Sequence, residues 1–355
     1  MMQKSVEKPT LIGLNEAGCI ELMRRLGEKP YRGRQLYRWL YRRRAASFTE
    51  MTDLPETLRQ KLNETADWGQ LELVERDDRS SSGSIKYLFR LRDGRHIESV
   101  YIPDPPRYTV CVSSQAGCGL NCRFCATARL GLQRNLTVGE IVEQVMFIMR
   151  DRPQPITNVV FMGMGEPLAN YEHVMEAADL LSDDNGLAIG ARRIVISTAG
   201  LADQMIRYAD EGRKYRLAVS LNSPFQEQRA ALMPIAKRFP LDVLLQAAEY
   251  YARKSRKILT FEYVLFADVN DSREHAEALK RIVKKIPSKI NLIPYNPTTA
   301  EFRRPDEERV NQFAQWLLPL HAGLSVRWSK GHDVNAACGQ LAGRRITEVQ
   351  ACVNS

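Results

Sequence analysis

Apolar and polar positions along this chain change their period more than once. Up to about residue 75 the spacing is helical, and Leu54-Pro55-Glu56 opens a further short helix there. From Ser80 to Pro106 the period becomes that of strands. Residues 85–91 and 97–102 read as a β-hairpin around the Asp93-Gly94 turn, and Pro103-Asp104-Pro105-Pro106 reads as a linker. Short apolar runs then alternate with helical patterns, at 109–114, 158–162, 193–197, 217–221, 259–265, 289–293 and 324–328. Residues 137–150 show the helical period with Ile141, Val145, Ile148 and Met149 on one side. Thr137 and Glu140 form a capping box at their start. Repeated strand-then-helix units require a parallel sheet, so the fold class is α/β, a full or partial (β/α) barrel. In such barrels the chemistry sits at the C-terminal ends of the strands. The expected division is a helical N-terminal accessory domain at 1–78, the hairpin and linker at 79–106, the barrel at 107–330, and a C-terminal segment at 331–355.

The 355-residue length fits one large domain and a small one, at about 150 residues per domain. With 44% hydrophobic and 26% charged residues the composition is that of a globular chain. No apolar run of ~18 residues exists and the first residues lack a signal peptide's apolar stretch. The expectation is a cytoplasmic protein with no membrane partner. Charge is uneven: of a net +9, the first 44 residues hold eleven Lys and Arg against four Glu. Read as a helix, Arg34, Arg38 and Arg42 share one face, while Leu36, Trp39 and Leu40 share another that would dock on the rest of the chain. Tyr31, Tyr37, Trp39 and Tyr41 are interleaved with the basic residues. A guanidinium row of this kind attracts a nucleic-acid phosphate backbone, and the plainer reading is a solvated helix face.

Seven cysteines in a reducing compartment point to metal or thiol chemistry. Cys118, Cys122 and Cys125 form a C-x₃-C-x₂-C triplet just past the first barrel strand, where a barrel puts its active site. Structural zinc wants four ligands, usually as two separated pairs, and no second pair exists. Three thiolates on a four-iron cluster leave one iron open to a substrate's amino and carboxylate groups. Taken singly, Cys111, Cys338, Cys19 and Cys352 read as ordinary core thiols.

The triplet with Phe124 inside it resembles the signature of the radical S-adenosylmethionine (SAM) enzymes. The strings Cys111-Val112-Ser113-Ser114-Gln115-Ala116-Gly117-Cys118, Phe161-Met162-Gly163-Met164-Gly165-Glu166-Pro167 and Ala336-Ala337-Cys338-Gly339-Gln340-Leu341 narrow the resemblance to the RlmN/Cfr family of RNA methyltransferases, on its RlmN side. It spans about residues 25–345. The resemblance implies a [4Fe-4S] cluster on Cys118, Cys122 and Cys125, and two SAM molecules per turnover. It implies that Cys338 first receives a methyl group, which a 5′-deoxyadenosyl radical then activates for addition to adenine. Cys111 would resolve the resulting RNA–protein adduct through a transient disulfide with Cys338, and Glu98 would accept a proton.

Residues at the ends of the strands match the family's SAM contacts: Gly165 and Glu166, then Ser197, then Ser220, Leu221 and Asn222, then Asn296. Position 222 is Asn where many relatives carry His. Pro167 looks like the RlmN branch. The implied reaction is methylation of C2 of adenosine 2503 in 23S rRNA and of adenosine 37 in tRNAs, with flavodoxin or ferredoxin as electron donor. The basic N-terminal helix and hairpin would hold the RNA while the adenine turns into the barrel mouth. The rival readings are C8 methylation of the same adenosine, as in Cfr, and a non-catalytic RNA-binding module with a structural metal at the triplet.

Overall fold

A computed structural model describes residues 8–318 and 323–341. Cys352 and the rest of the C-terminal segment past 341 lie outside the described residues. The chain opens with three helices, α1 (Glu16–Arg25), α2 (Pro30–Tyr37) and α3 (Glu56–Thr65). Strands β1 (Leu71–Asp77), β2 (Ile85–Leu91), β3 (His96–Asp104), β4 (Arg107–Cys111), β5 (Gln115–Gly117) and β6 (Leu132–Asn135) follow. Helix α4 (Val138–Asp151), strand β7 (Asn158–Phe161), helix α5 (Tyr171–Ser182), strand β8 (Ile194–Thr198) and helix α6 (Ala202–Asp210) begin the alternation. It continues through β9 (Arg216–Ser220), α7 (Gln226–Leu232), α8 (Leu241–Ser255), β10 (Leu259–Leu265), α9 (Arg273–Lys285), β11 (Ser288–Pro294), α10 (Glu307–Leu317) and β12 (Leu324–Val326).

Ten of the strands form one sheet in the order β1-β2-β3-β4-β7-β8-β9-β10-β11-β12. From β4 to β12 every pairing is parallel, and β1 to β4 pair antiparallel. The sheet order ends at β12, so the seven parallel strands make a partial barrel. All seven expected barrel strands are present, and β10 has the expected bounds. Their outward positions, such as Val159, Ile196, Leu217 and Phe261, are buried under the helices as one core. Helix α4 carries the expected capping box: the Thr137 hydroxyl accepts from the Glu140 amide, and the Glu140 carboxylate accepts from the Thr137 amide.

Three local readings are corrected. Residues 71–77, expected at the end of the helical region, form the edge strand β1; four of its seven residues are exposed, so it carries no apolar stripe to announce it. Pro103–Pro106, expected as a linker, is the end of β3 and the turn into β4, with Asp104 facing Arg107 across the ladder. The basic helix keeps Arg34, Arg38 and Arg42 exposed, but its second half widens to a π-turn over Arg38–Arg42, where the Arg43 amide donates to the Arg38 carbonyl at 2.9 Å. Tyr37, Trp39 and Tyr41 are buried, leaving Tyr31 as the exposed ring of the four. The Tyr37 hydroxyl donates to Asp183 at 2.6 Å and the Tyr41 hydroxyl to the Leu14 carbonyl at 2.9 Å, so these rings fasten the N-terminal region. At Gly33 the helices α1 and α2 touch backbone to backbone, and a Cβ there would lie 2.4 Å from the Ile20 Cα.

Candidate active site

The curl of the sheet encloses two cavities that meet inside the barrel. The smaller, about 170 Å³, lies at the C-terminal rim and is lined by Cys118, Cys122 and Cys125, by Gly165 and Glu166, and by Ser197, Ser220, Asn222, Asn296 and Cys338. The larger, about 630 Å³, runs below it and contains Cys111 and Cys338. Cys338, Met162 and Glu262 line both. Thiols 227 positions apart in the sequence thus share one chamber.

The cysteine triplet sits in the loop between β5 and β6, two strands paired antiparallel beside the main sheet. A small second core of Leu232, Met233, Phe266, Tyr295 and Phe302 supports this loop, with Leu120, Cys122 and Phe124 packed against it. The Arg123 amide donates to the Leu232 carbonyl, and the Thr298 hydroxyl to the Phe124 carbonyl. Burial pushes the Cys118 thiol up to about 12 and Cys122 well above its usual range, so a cationic group is needed to hold them as thiolates. Among the described residues no three His, Cys, Asp or Glu side chains form a group that could hold one metal ion. Cys118, Cys122 and Cys125 line one cavity, with Cys118 and Cys125 both adding to the rise at Cys122, an arrangement suited to three thiolates of one iron–sulfur cluster.

The rim residues divide into those that face the cavity and those that build it. Gly165 has a φ of +100°, and a Cβ there would meet Gln115 at 2.6 Å, so the glycine is required by the packing of the rim. Glu166 is buried, and its carboxylate oxygens accept from the amides of Leu168 and Ala199 at 3.1 and 2.8 Å. Burial raises it to about 7 against those donors, a site where a bound ammonium would pull the value back down. Asn222 has a positive φ of 57°; its Oδ1 accepts from the Val264 amide, and its Nδ2 faces the Met233 sulfur at 3.2 Å. Asn296 donates to Ser329 and to the Cys338 carbonyl, at 2.9 and 3.2 Å. Its Oδ1 is buried with no hydrogen-bond partner, an acceptor left for a bound donor. Leu221 departs from expectation: its side chain is fully buried in the core and does not line the cavity. Its carbonyl instead accepts from Arg229.

Cys111 closes β4 facing the larger cavity, and burial pushes its thiol up to about 12, with Cys338 adding to the rise and Arg327 opposing it. Cys338 is likewise raised by burial and opposed by Arg327. The six described cysteines are free thiols, so the implied Cys111–Cys338 disulfide is not formed here. Glu98 is the third residue of β3. It is buried and 3.5 Å from the Lys86 ammonium. It is not among the residues lining either cavity. The β3–β4 register pairs Val100 with Cys111, which puts Glu98, two residues on, on the same sheet face as Cys111.

Two functional candidates escaped the sequence reading. Arg229, on α7, is fully buried and donates to the carbonyls of Ala199, Ser220 and Leu221, tying the ends of β8 and β9 together. Glu262, a lone acid in the apolar strand β10, accepts from Asn291 at 2.7 Å and faces both cavities. Its position in that strand was the available signal; nothing in the sequence around Arg229 marks it.

Residues 112–282 match the radical SAM superfamily, and residues 10–67 match the ribosomal RNA large subunit methyltransferase N-terminal domain. The chain is 47% identical over 344 residues to the dual-specificity RNA methyltransferase RlmN of Anaeromyxobacter sp. (strain Fw109-5), covering 94% of this chain and 91% of that one. This chain belongs to the RlmN family of radical SAM RNA methyltransferases. The RlmN of Geobacter sulfurreducens is 46% identical, over 94% and 93% of the two chains. The crystal structure of a radical SAM methyltransferase from Sphaerobacter thermophilus superposes with a TM-score of 0.90 at 42% identity, covering 94% of this chain and 99% of that one. Membership of the RlmN family brings a [4Fe-4S] cluster and SAM as cofactors. The three thiols, the free Asn296 acceptor and the buried Glu166 carboxylate in one cavity fit that pair of groups. Among the described residues no helix is long and apolar enough to cross a membrane.

Proposed function

We propose that this RlmN-family enzyme methylates C2 of adenosine 2503 in 23S rRNA and of adenosine 37 in tRNAs, working in the cytoplasm with a flavodoxin or ferredoxin as electron donor. The observation that carries the reading is Cys338, which lines both the rim cavity of the cluster cysteines and the chamber that holds Cys111. C2 of adenine is not nucleophilic, so a methyl group has to arrive as a carbon radical rather than as a cation.

When bound, the cluster and SAM supply a methyl group and a radical, one SAM for each. Cys118, Cys122 and Cys125 would hold the cluster. Glu166 and Asn296 would hold the polar groups of SAM, with Ser197, Ser220, Asn222 and the backbone at Gly165 beside them. Cys338 accepts the methyl on its sulfur and presents it to the base. Cys111 would attack the Cys338 sulfur as a thiolate once the base is attached: the sulfur–carbon bond breaks, the carbon leaves on the base and takes up a proton, and the disulfide formed is reduced by the electron donor before the next turnover. Glu98, on the Cys111 face of β3, accepts the ring proton.

Nucleoside mass spectrometry of RNA treated anaerobically with reconstituted enzyme, SAM and a reductant tests the ring position. 2-Methyladenosine is the expected product. 8-Methyladenosine would keep the chemistry and overturn the position, and no methylated adenosine would overturn the substrate.

A further inference from the structure

A closed (β/α) barrel is plugged at its N-terminal end by layers of branched apolar side chains. Here the inward residues at the starts of the strands are Arg107 on β4, Asn158 on β7, Arg216 on β9, Thr260 on β10, Lys289 on β11 and Ser325 on β12. Arg107, Arg216, Lys289 and Ser325 are exposed, so among the described residues the large chamber is open at this end. Three of the six carry a positive charge. Arg107 is paired with Asp104 at 2.6 Å, and Asp104 also takes Lys330 at 2.9 Å. The exposed Arg192 and Arg193 immediately precede β8 at the same end. The N-terminal basic face reaches this end too, because Arg42 donates to the carbonyl of Asp184, just past the C-terminus of α5. Helices of a βαβ unit run antiparallel to the strands, so that terminus lies by the strand starts.

We propose that RNA enters through this N-terminal mouth, with Arg216 and Lys289 holding backbone phosphates while the target nucleotide passes inward to Cys338 and Cys111. The inference rests on the RNA methyltransferase reading above. The two cavities divide the work: the rim cavity beside the cysteine triplet takes the cofactors, and the chamber reached from the opposite end takes the base. At about 630 Å³ the chamber is within the range, roughly 300–1,000 Å³, of cavities that enclose a whole small molecule. Extruding a nucleotide costs unstacking energy, which phosphate contacts at the mouth offset. An RNA arriving at the C-terminal rim would instead have to pass the cysteine loop and the segment carrying Cys338.

The test is equilibrium binding of a 23S rRNA fragment containing the adenosine 2503 loop to the cluster-loaded full chain, over a range of salt. Two double variants remove the same charge at opposite ends: R216Q/K289Q at the mouth, and K237Q/R238Q, which follow α7 at the rim. The expected result is at least tenfold weaker binding for R216Q/K289Q, with the salt dependence shallower by about one unit of slope per residue. K237Q/R238Q should change affinity less than about threefold, as a general electrostatic effect does. Equal losses in the two variants, or loss only at the rim, would overturn the entry route and leave the methyltransferase reading intact. A wild-type enzyme that neither binds the fragment nor makes methylated adenosine would remove that reading and this inference together.

Discussion

The amide of Ala126 donates to the carbonyl of Gly339 at 2.8 Å, tying the loop of the cluster cysteines to the residue after Cys338. One position further along the first segment and two along the second, the Thr127 hydroxyl donates to the Leu341 carbonyl at 2.6 Å. These bonds hold the Cys338 thiol against the cofactor cavity, although nothing covalent joins the two segments nearby.

Removing the second tie should loosen that contact without touching the cluster. T127V leaves a buried carbonyl unpaired, at a cost of about 1–3 kcal/mol. Its iron content should match wild type, while a protease cuts within residues 331–341 severalfold faster and Cys338 is methylated more slowly. Wild-type rates of both would show that the tie is not what positions Cys338.

The cysteines should separate into two classes. C118A, C122A and C125A are each expected to lose iron and the broad visible absorption of the anaerobically purified protein. C111A and C338A should keep both, because neither thiol belongs to the C-x₃-C-x₂-C triplet. Bound zinc with no visible absorption in the wild type would favour the structural-metal alternative.

Asn296 bears on SAM affinity through its unpaired Oδ1. N296A should weaken SAM binding to the cluster-loaded enzyme about tenfold, equivalent to about 1.4 kcal/mol. Equilibrium dialysis measures this directly. Unchanged affinity would mean that the free acceptor does not face the cofactor.

A pH dependence is built into the contact between the N-terminal region and the barrel. Glu143 on α4 accepts from the amides of Gln70 and Leu71, at 2.6 and 3.2 Å, and burial raises it from 4.5 to about 7 against those donors. Between pH 4.5 and 7 the native protein keeps a proton that the unfolded chain has lost, so stability falls as pH rises through this window. The loss amounts to about 3 kcal/mol above pH 7. E143Q keeps an acceptor and removes the charge. Its Tm should exceed that of wild type at pH 8 and converge on it near pH 4; a constant difference would contradict this origin.

Much of this architecture is legible in the sequence because its signals are local. The seven barrel strands are short apolar runs flanked by helical periods, and the α4 cap is written in Thr137 and Glu140. The triplet declares itself by spacing alone. Strand β1 was hidden because an exposed edge strand such as Leu71–Asp77 buries too little to need alternation. The inward packing of Tyr37 and Tyr41 is not legible in the sequence, because an aromatic beside an arginine looks the same whether it faces solvent or the core. Arg229 and Leu221 act through backbone carbonyls, which side-chain spacing does not record. The polar N-terminal layer of Arg107, Arg216 and Lys289 is visible only once the strands fix which positions point inward.

The most direct test of the central claim is to purify C111A after exposure to RNA, SAM and reductant, and to map any covalent link by mass spectrometry. The expected result is RNA attached to the protein through Cys338, accumulating because the resolving thiol is missing. Free methylated RNA released at the wild-type rate would contradict the roles assigned to both thiols.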